Sequence, residues 1–517
     1  MASPDLLLVA PPTRAYSIFF SFALLYLASF IEEKGYKVEI LDDRPSHSEG
    51  LDLSILQNHC IKSILDKNPR YLGFTCLTAD FICIEKIAKS VRSAGFKGKI
   101  IVGGHHPTFC PQDFFVQKGI YDYVVLGEGE QTLLDLMKTL DDKGNIQHVD
   151  GIAYAEDGSF AKTSPRQLIE NIDIFPNPAY HLIDLNQYLR PSVGLIRHIL
   201  LCGVPILTTR GCPYQCTYCG NPSLWATQMH KKILRTRSID KVLEELSLLK
   251  NQYAIDGFYI ADDAFTLNED RVGEFCRGLL DRRLDLVWAC QTHVNLFTER
   301  MAGWMRDAGC VQVEFGVESG SDRVLKVMKK GTNTKNIQRA FDISHAHGFR
   351  TLANLMVNTP TETEEDLRST IDFAKRLRPT IYSYAITTPL VGTEDYKKYV
   401  KPPLTREEYS LYLDGRIYRK IIDERFKLSA HRLDIGKIYR HLNRRYMFFR
   451  YYFDALLYLL THMRFYARSV HRNDYVMAFL KRYFGVNKLM HRMNRFYHSL
   501  LGFRECYGND PRAAKSF

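Results

Sequence analysis

Short apolar runs alternating with helix-length segments constrain this chain more than any other feature. Such alternation folds into a parallel sheet joined by right-handed crossovers. Asp5–Ala10, Tyr36–Leu41, Tyr71–Thr75, Lys99–Val102 and Tyr121–Leu126 read as strands, with helices expected over Tyr16–Ile31, Ile82–Ser93 and Glu130–Leu140. These strands end in small or polar residues: Pro11-Pro12-Thr13, Thr75 to Thr78, Gly103-Gly104 and Gly127-Glu128-Gly129. Ligands of doubly wound sheets bind at such carboxyl ends, where glycine lets the backbone come close. Residues 141–200 read as a connector, with a hairpin turning at Asp157-Gly158 and punctuation by Pro176, Pro178 and Pro191. A second alternation follows, with strands expected at Pro205–Thr209, Gly257–Ala261, Leu286–Cys290, Val311–Val317, Thr351–Val357 and Ile381–Thr387. Six strand–helix units suffice for an open barrel of parallel strands. Beyond Lys401 the alternation stops and the chain reads as helical.

The 517 residues are 45% hydrophobic and 25% charged, which excludes a disordered, collagenous or disulfide-stapled chain. At ~150 residues per domain, about three domains are expected. Tyr16–Ile31 is shorter than the ~20 residues of a spanning helix and reads as buried. The net charge of +11 is local: residues 431–517 hold 17 Lys/Arg against 5 Asp/Glu, and the rest hold 52 against 53. The same tail carries 19 Phe/Tyr, as in Tyr446–Phe453. Apolar bulk with a cationic rim suits a helical cap whose arginines pair with acids, or a helix lying on an anionic membrane surface. Single-stranded nucleic acid is also read by aromatics and arginine, but no stacking-platform fold is visible, so nucleic acid is not an expected partner.

The chain has twelve cysteines and no secretory pattern at its N-terminus, so a reducing, cytoplasmic setting is expected. Cys212, Cys216 and Cys219 form a Cys-x3-Cys-x2-Cys run inside Arg210–Cys219. Thiolates are ligands of iron–sulfur clusters and of zinc. Three in one loop can hold three corners of a [4Fe-4S] cube and leave the fourth iron open, whereas structural zinc sites close with four ligands. Cys60, Cys76, Cys83, Cys110, Cys202, Cys276, Cys290, Cys310 and Cys506 show no second cluster spacing and read mostly as core residues. Asp262-Asp263, at a strand end, suits acid/base groups, metal ligands or a structural cap, and His105-His106 suits a cofactor face or a loop brace.

The cysteine run resembles the cluster motif of the radical S-adenosylmethionine (SAM) superfamily, including the aromatic Tyr218 before the third cysteine. Gly220-Asn221-Pro222 stands where that family meets the SAM amino group. Val313–Ser321 resembles its fourth-strand segment, with Glu318 and Ser319 as implied SAM contacts, and Arg323–Thr332 continues the familiar sequence. Gly257–Phe265 resembles the second-strand pattern. Met356–Thr363 departs from the usual Gly-x-Pro-Gly-Glu-Thr, and Gln291-Thr292-His293 replaces the usual arginine after the third strand. Val102–Thr108, Asp122–Leu134 and Gly73–Thr78 are similar to the cobalamin-binding domain of one radical SAM subclass, without the Asp-x-His-x-x-Gly motif of some cobalamin proteins.

The resemblance implies three regions: a Rossmann-like α/β cobalamin domain over 1–145, a linker over 146–195 and a partial (β/α)6 radical SAM barrel over 196–400. A basic, aromatic-rich helical region follows over 401–517. It implies a [4Fe-4S] cluster on Cys212, Cys216 and Cys219, with SAM at Tyr218, Gly220, Asn221, Glu318 and Ser319. Cobalamin is implied at Thr75, Thr78, Gly103, Gly104, Gly127, Glu128 and Gly129. The implied reaction is a 5′-deoxyadenosyl radical abstracting hydrogen from an unactivated C–H bond, followed by methyl transfer from cobalamin. The same architecture supports oxidative cyclisation or rearrangement without methyl transfer; tRNA modification would need an RNA-binding module that is not visible. A small hydrophobic substrate of lipid or isoprenoid type is expected, with an external one-electron donor such as flavodoxin or ferredoxin. The expected location is cytoplasmic, peripheral on an anionic membrane.

Overall fold

The computed structural model describes residues 3–12, 20–42, 53–156, 159–226, 234–413 and 426–483. Part of the expected Tyr16–Ile31 helix, the Asp157-Gly158 turn and Cys506 lie outside them. The chain divides into the compact units Met1–Leu456 and Leu457–Phe517.

The first sheet has the order β2-β1-β3-β4-β5-β6-β7. Its strands are β1 (Leu6–Ala10), β2 (Val38–Asp42), β3 (Tyr71–Thr75), β4 (Lys99–Gly103), β5 (Tyr123–Val125), β6 (Ile152–Glu156) and β7 (Ser159–Lys162). Five parallel strands are connected through α1 (Phe22–Glu32), α2 (Leu53–Lys67), α3 (Phe81–Ser93) and α4 (His105–Phe109), and α5 (Glu130–Asp141) follows β5. Apolar residues fill β1 on both faces, as a parallel strand covered by helices requires. The β6–β7 hairpin, read from the sequence as part of the connector, instead adds antiparallel to β5. It covers an edge whose backbone groups would otherwise be unpaired.

The second sheet is parallel and open, in the order β10-β13-β14-β15-β16-β17. The hairpin β8 (Ser192–Ile196) and β9 (Ile199–Leu201) precedes β10 (Gly203–Ile206), and β11 (Thr209–Arg210) pairs with β12 (Arg235–Thr236). β13 (Gly257–Ile260), β14 (Val287–Thr292), β15 (Cys310–Glu318), β16 (Arg350–Val357) and β17 (Ile381–Ile386) complete the sheet. The outer helices are α6 (Gly220–Ala226), α7 (Ile239–Tyr253), α8 (Glu269–Asp281), α9 (Glu299–Asp307), α10 (Asp322–Val327), α11 (Thr334–Ala346), α12 (Glu364–Leu377) and α13 (Glu394–Tyr399). Ser238, Asn268, Thr298, Asn333 and Thr363 accept the N-terminal N–H groups of α7, α8, α9, α11 and α12. These short oxygen-bearing side chains fix where each helix begins. β10 stops at Ile206, short of the expected Thr209. The Asp262 carboxylate accepts from the N–H of Thr208 at 2.7 Å and of Thr209 at 3.0 Å, diverting them from the sheet.

The β8–β9 hairpin lies across the amino ends of the barrel strands. A Cβ on Gly203 would stand 2.8 Å from Leu195 Cδ2, and one on Gly257 2.6 Å from Leu201 Cδ2. Across from these, Arg197 donates to Ser383 Oγ on β17 at 2.9 Å. The opposite, carboxyl mouth is where barrel chemistry is assembled.

Beyond the barrel lie α14 (Ile435–Thr461), α15 (Met463–Arg468) and α16 (Arg472–Tyr483). Among the described residues no helix is long and apolar enough to cross a membrane. Within the second unit, Tyr466 and Tyr475 meet edge-to-face at 4.9 Å.

Candidate active site

The cysteine loop leaves β11 at Gly211, whose φ of +97° favours glycine. Burial raises the thiol pKa of Cys212 and Cys219, and Cys216 lies close enough to add to both. Burial is the larger cause and pushes Cys212 up to about 11. The loop is held from several sides. Thr217 N–H donates to Met328 O at 3.1 Å, and Thr217 O accepts from Asp395 N–H of α13 at 3.0 Å. The Tyr214 ring stacks on His293 at 3.8 Å, and His293 Nε2 lies 3.0 Å from Lys330 O. The Gln291-Thr292-His293 departure thus supplies a platform for the loop.

Lys330 is the residue that sequence reasoning missed, although its segment was singled out. Its buried Nζ lies 2.7 Å from Glu318 Oε1 and 3.3 Å from Tyr218 Oη, so it joins two of the expected SAM contacts. Glu318 ends β15 in the left-handed region, at φ +61°. A β-bulge between Gly316 and Glu318 re-aims the strand there. Ser319 is fully buried, and its hydroxyl bonds Thr370 Oγ1 at 3.0 Å and accepts from Ser321 N–H. Gly220 opens α6 with nothing within 4 Å of a would-be Cβ.

A cavity of about 410 Å³ runs from the first sheet to the cysteine loop. Thr75, Gly103, Gly104, Gly127, Glu128 and Gly129 line it from the first sheet, as six of the seven expected cobalamin contacts. Arg210, Gly211, Asn221 and Asp263 line it from the barrel side. A Cβ on Gly104 would press to 2.8 Å from Cys76 O, and its φ of +113° excludes most side chains, so the turn needs glycine. Away from the loop the cavity continues between the sheet and its helices along Leu8, Leu24, Ile101, Val125 and Leu133. Thr78, the seventh, does not line it. Its hydroxyl lies 3.3 Å from Nδ1 of the fully buried His106, bracing α4.

Charges tie the two sides of the cavity together. Arg235, 1% exposed, donates to both oxygens of Glu128 at 2.8 and 2.6 Å, and Arg210 donates to Glu130 at 2.7 Å. Burial would raise the Glu128 pKa, but the two arginines hold it below the usual carboxylate value. The guanidinium of Arg210 also sits 4.6 Å from the Phe175 ring centre. Of the aspartate pair, Asp262 is the structural cap of β10. Asp263 faces the cavity, raised by burial and opposed by its hydrogen bond to Asn221 and by His105.

Two family models match: the radical SAM superfamily over residues 206–374 and the B12 binding domain over 13–137. An uncharacterized methyltransferase of Pyrococcus horikoshii is 32% identical over 397 residues, covering 75% of this chain and 81% of that protein. The chain belongs to the radical SAM superfamily, in the class that carries a B12-binding domain. An anaerobic magnesium-protoporphyrin IX monomethyl ester cyclase of Rubrivivax gelatinosus is 27% identical over 370 residues, 70% of this chain and 63% of the cyclase. Among solved structures, the radical SAM methyltransferase TsrM of Kitasatospora setae has the same fold. Its TM-score is 0.63 at 19% identity, with 77% of each chain covered.

As a radical SAM enzyme of this class the protein uses a [4Fe-4S] cluster, SAM and cobalamin. The residues present fit all three. A tight loop offers three thiols, a donor set suited to iron. The glycine strand ends and the apolar slot behind them leave room for a large flat ligand and an apolar appendage.

Proposed function

We propose that the protein is a cobalamin-dependent radical SAM C-methyltransferase acting on an unactivated carbon of a small hydrophobic molecule. The observation that carries this reading is the shared cavity: the glycine ends of the first sheet and the residues flanking the cysteine loop open onto one space. In this reading Cys212, Cys216 and Cys219 hold the cluster. Tyr218, Gly220, Asn221 and Glu318 shape the SAM pocket, with Lys330 aligning Tyr218 and Glu318 and Ser319 bracing the turn. Thr75, Gly103, Gly104, Gly127 and Gly129 form the corrin platform, while Glu128 and Thr78 support it through Arg235 and His106. When bound, cluster and SAM supply a radical that abstracts hydrogen, and cobalamin supplies a transferable methyl group. The chain excludes water, holds the reacting centres on facing walls and orients the target carbon.

Anaerobic turnover with an external one-electron donor is expected to give one S-adenosylhomocysteine and one 5′-deoxyadenosine per methylated product. Balance requires two electrons from the donor per turnover. Product with no added carbon would favour the cyclase-like reading, which the relative from Rubrivivax gelatinosus supports.

The basic tail favours peripheral attachment to anionic membrane, and with it a lipid or isoprenoid substrate. In the second unit Leu460, Met463, Val470 and Val476 are more than half exposed, among the cations counted above. Each basic residue near an anionic surface contributes about 1 kcal/mol. Co-sedimentation with anionic vesicles is expected at low salt, with release at high salt and none with neutral vesicles. Failure to bind either would leave the tail as a helical cap.

A further inference from the structure

A second cavity, of about 340 Å³, borders α6 at Ser223. Phe109, Pro111, Leu126 and Phe160 give it an apolar floor. Lys162, Arg166 and Lys397 line it, and no carboxylate does. Arg166 is committed to Asp135 at 2.6 Å and to Thr132 at 2.7 Å. Lys162 and Lys397 are exposed and have no ion-pair partner among the described residues. The Phe109 ring is held in place: a Cβ on Gly392 would come within 2.4 Å of it. An aromatic floor under an uncompensated cationic rim complements an anion with an apolar body.

The position of the cavity gives this chemistry a use. α6 begins at the residue after Cys219, and α13, which bears Lys397, accepts the cysteine loop through Asp395 and Thr217. Asn221 and Leu224 of α6 line the first cavity and Ser223 lines the second. α6 therefore borders both cavities.

We propose that this second cavity binds an amphipathic anion, its phosphate or carboxylate head held by Lys162 and Lys397 and its apolar chain laid over Phe109 and Phe160. This rests on the reading of the first cavity as the cofactor site, which leaves the second, bordering the same helix, for a separate acidic ligand.

The test is equilibrium binding of octyl phosphate, octanoate and octanol to the full chain loaded with cluster and cobalamin. At least one anion is expected to bind about tenfold or more tighter than octanol, as charge-assisted contacts outweigh neutral ones. Lys162→Met and Lys397→Met are each expected to weaken that anion about tenfold and to leave octanol unchanged. Preference for octyl phosphate or for octanoate assigns the head group; either supports the site. Equal affinity for all three probes, anion affinity unchanged in both lysine variants, or binding abolished by cobalamin loading would each overturn it. Because binding is read without turnover, intact binding in a protein that fails to methylate would count against the reaction and not against the site.

Discussion

Alanine at any one of Cys212, Cys216 and Cys219 is expected to remove the visible iron–sulfur absorption of the reconstituted protein and all reductive cleavage of SAM. The loop offers three thiols and no spare: among the described residues the other cysteines are Cys60, Cys76, Cys83, Cys110, Cys202, Cys276, Cys290 and Cys310, none within the loop. A cube that has lost one of three protein ligands cannot keep its open iron in place. Thermal unfolding of the metal-free variants should match wild type, because the loop is also held by the Tyr214–His293 stack and the Thr217 hydrogen bonds. Iron and sulfide content unchanged in a triple variant would refute the assignment. Cobalamin binding to these variants is expected to persist, since the proposed corrin platform belongs to the other sheet.

Arg235→Met is expected to cost about 3–5 kcal/mol of stability, read as a large fall in the midpoint of urea unfolding. Removing one partner of a buried ion pair leaves an uncompensated charge, and Glu128 would be left with only the 3.5 Å approach of Arg210. The double variant Glu128→Gln with Arg235→Met should recover part of the loss, because no unpaired carboxylate remains. The pH dependence has a definite sign. The Glu128 pKa is depressed in the folded protein, so its contribution is complete above the carboxylate's unfolded pKa. It fades as pH falls through the folded value. In Arg235→Met this acid-side loss should shrink, and an unchanged acid limb would show that the pair contributes nothing.

The parts of this site that could be read from the sequence are those in which one local segment holds the whole signal. The three cysteines fall within eight residues, and the glycine pairs sit directly after apolar strand runs. The barrel helices announce their starts through Ser, Asn and Thr caps. What could not be read depends on distant pairing. Lys330 lies 112 residues from Tyr218, and Arg235 lies 107 residues from Glu128. Neither cation differs locally from a solvated surface residue, and only the assembled sheets bring each to its partner. Asp262 and Asp263 show the same limit within one dipeptide. Both line the cavity, but the Asp262 carboxylate is taken up by the N–H groups of Thr208 and Thr209, a pairing that no local pattern announces. The β6–β7 segment reads as a hairpin around Asp157-Gly158, but its attachment to β5 depends on which edge lies open after folding.

The hairpin stoppering the amino end of the barrel bears on traffic as well as on architecture. With Leu195 and Leu201 seated against β10 and β13 and Arg197 reaching β17, the hairpin occupies that end. The first cavity lies at the other end, bordered by the carboxyl ends of strands from both sheets. Substrate entry and product release are therefore expected on the carboxyl side, where both sheets border the passage.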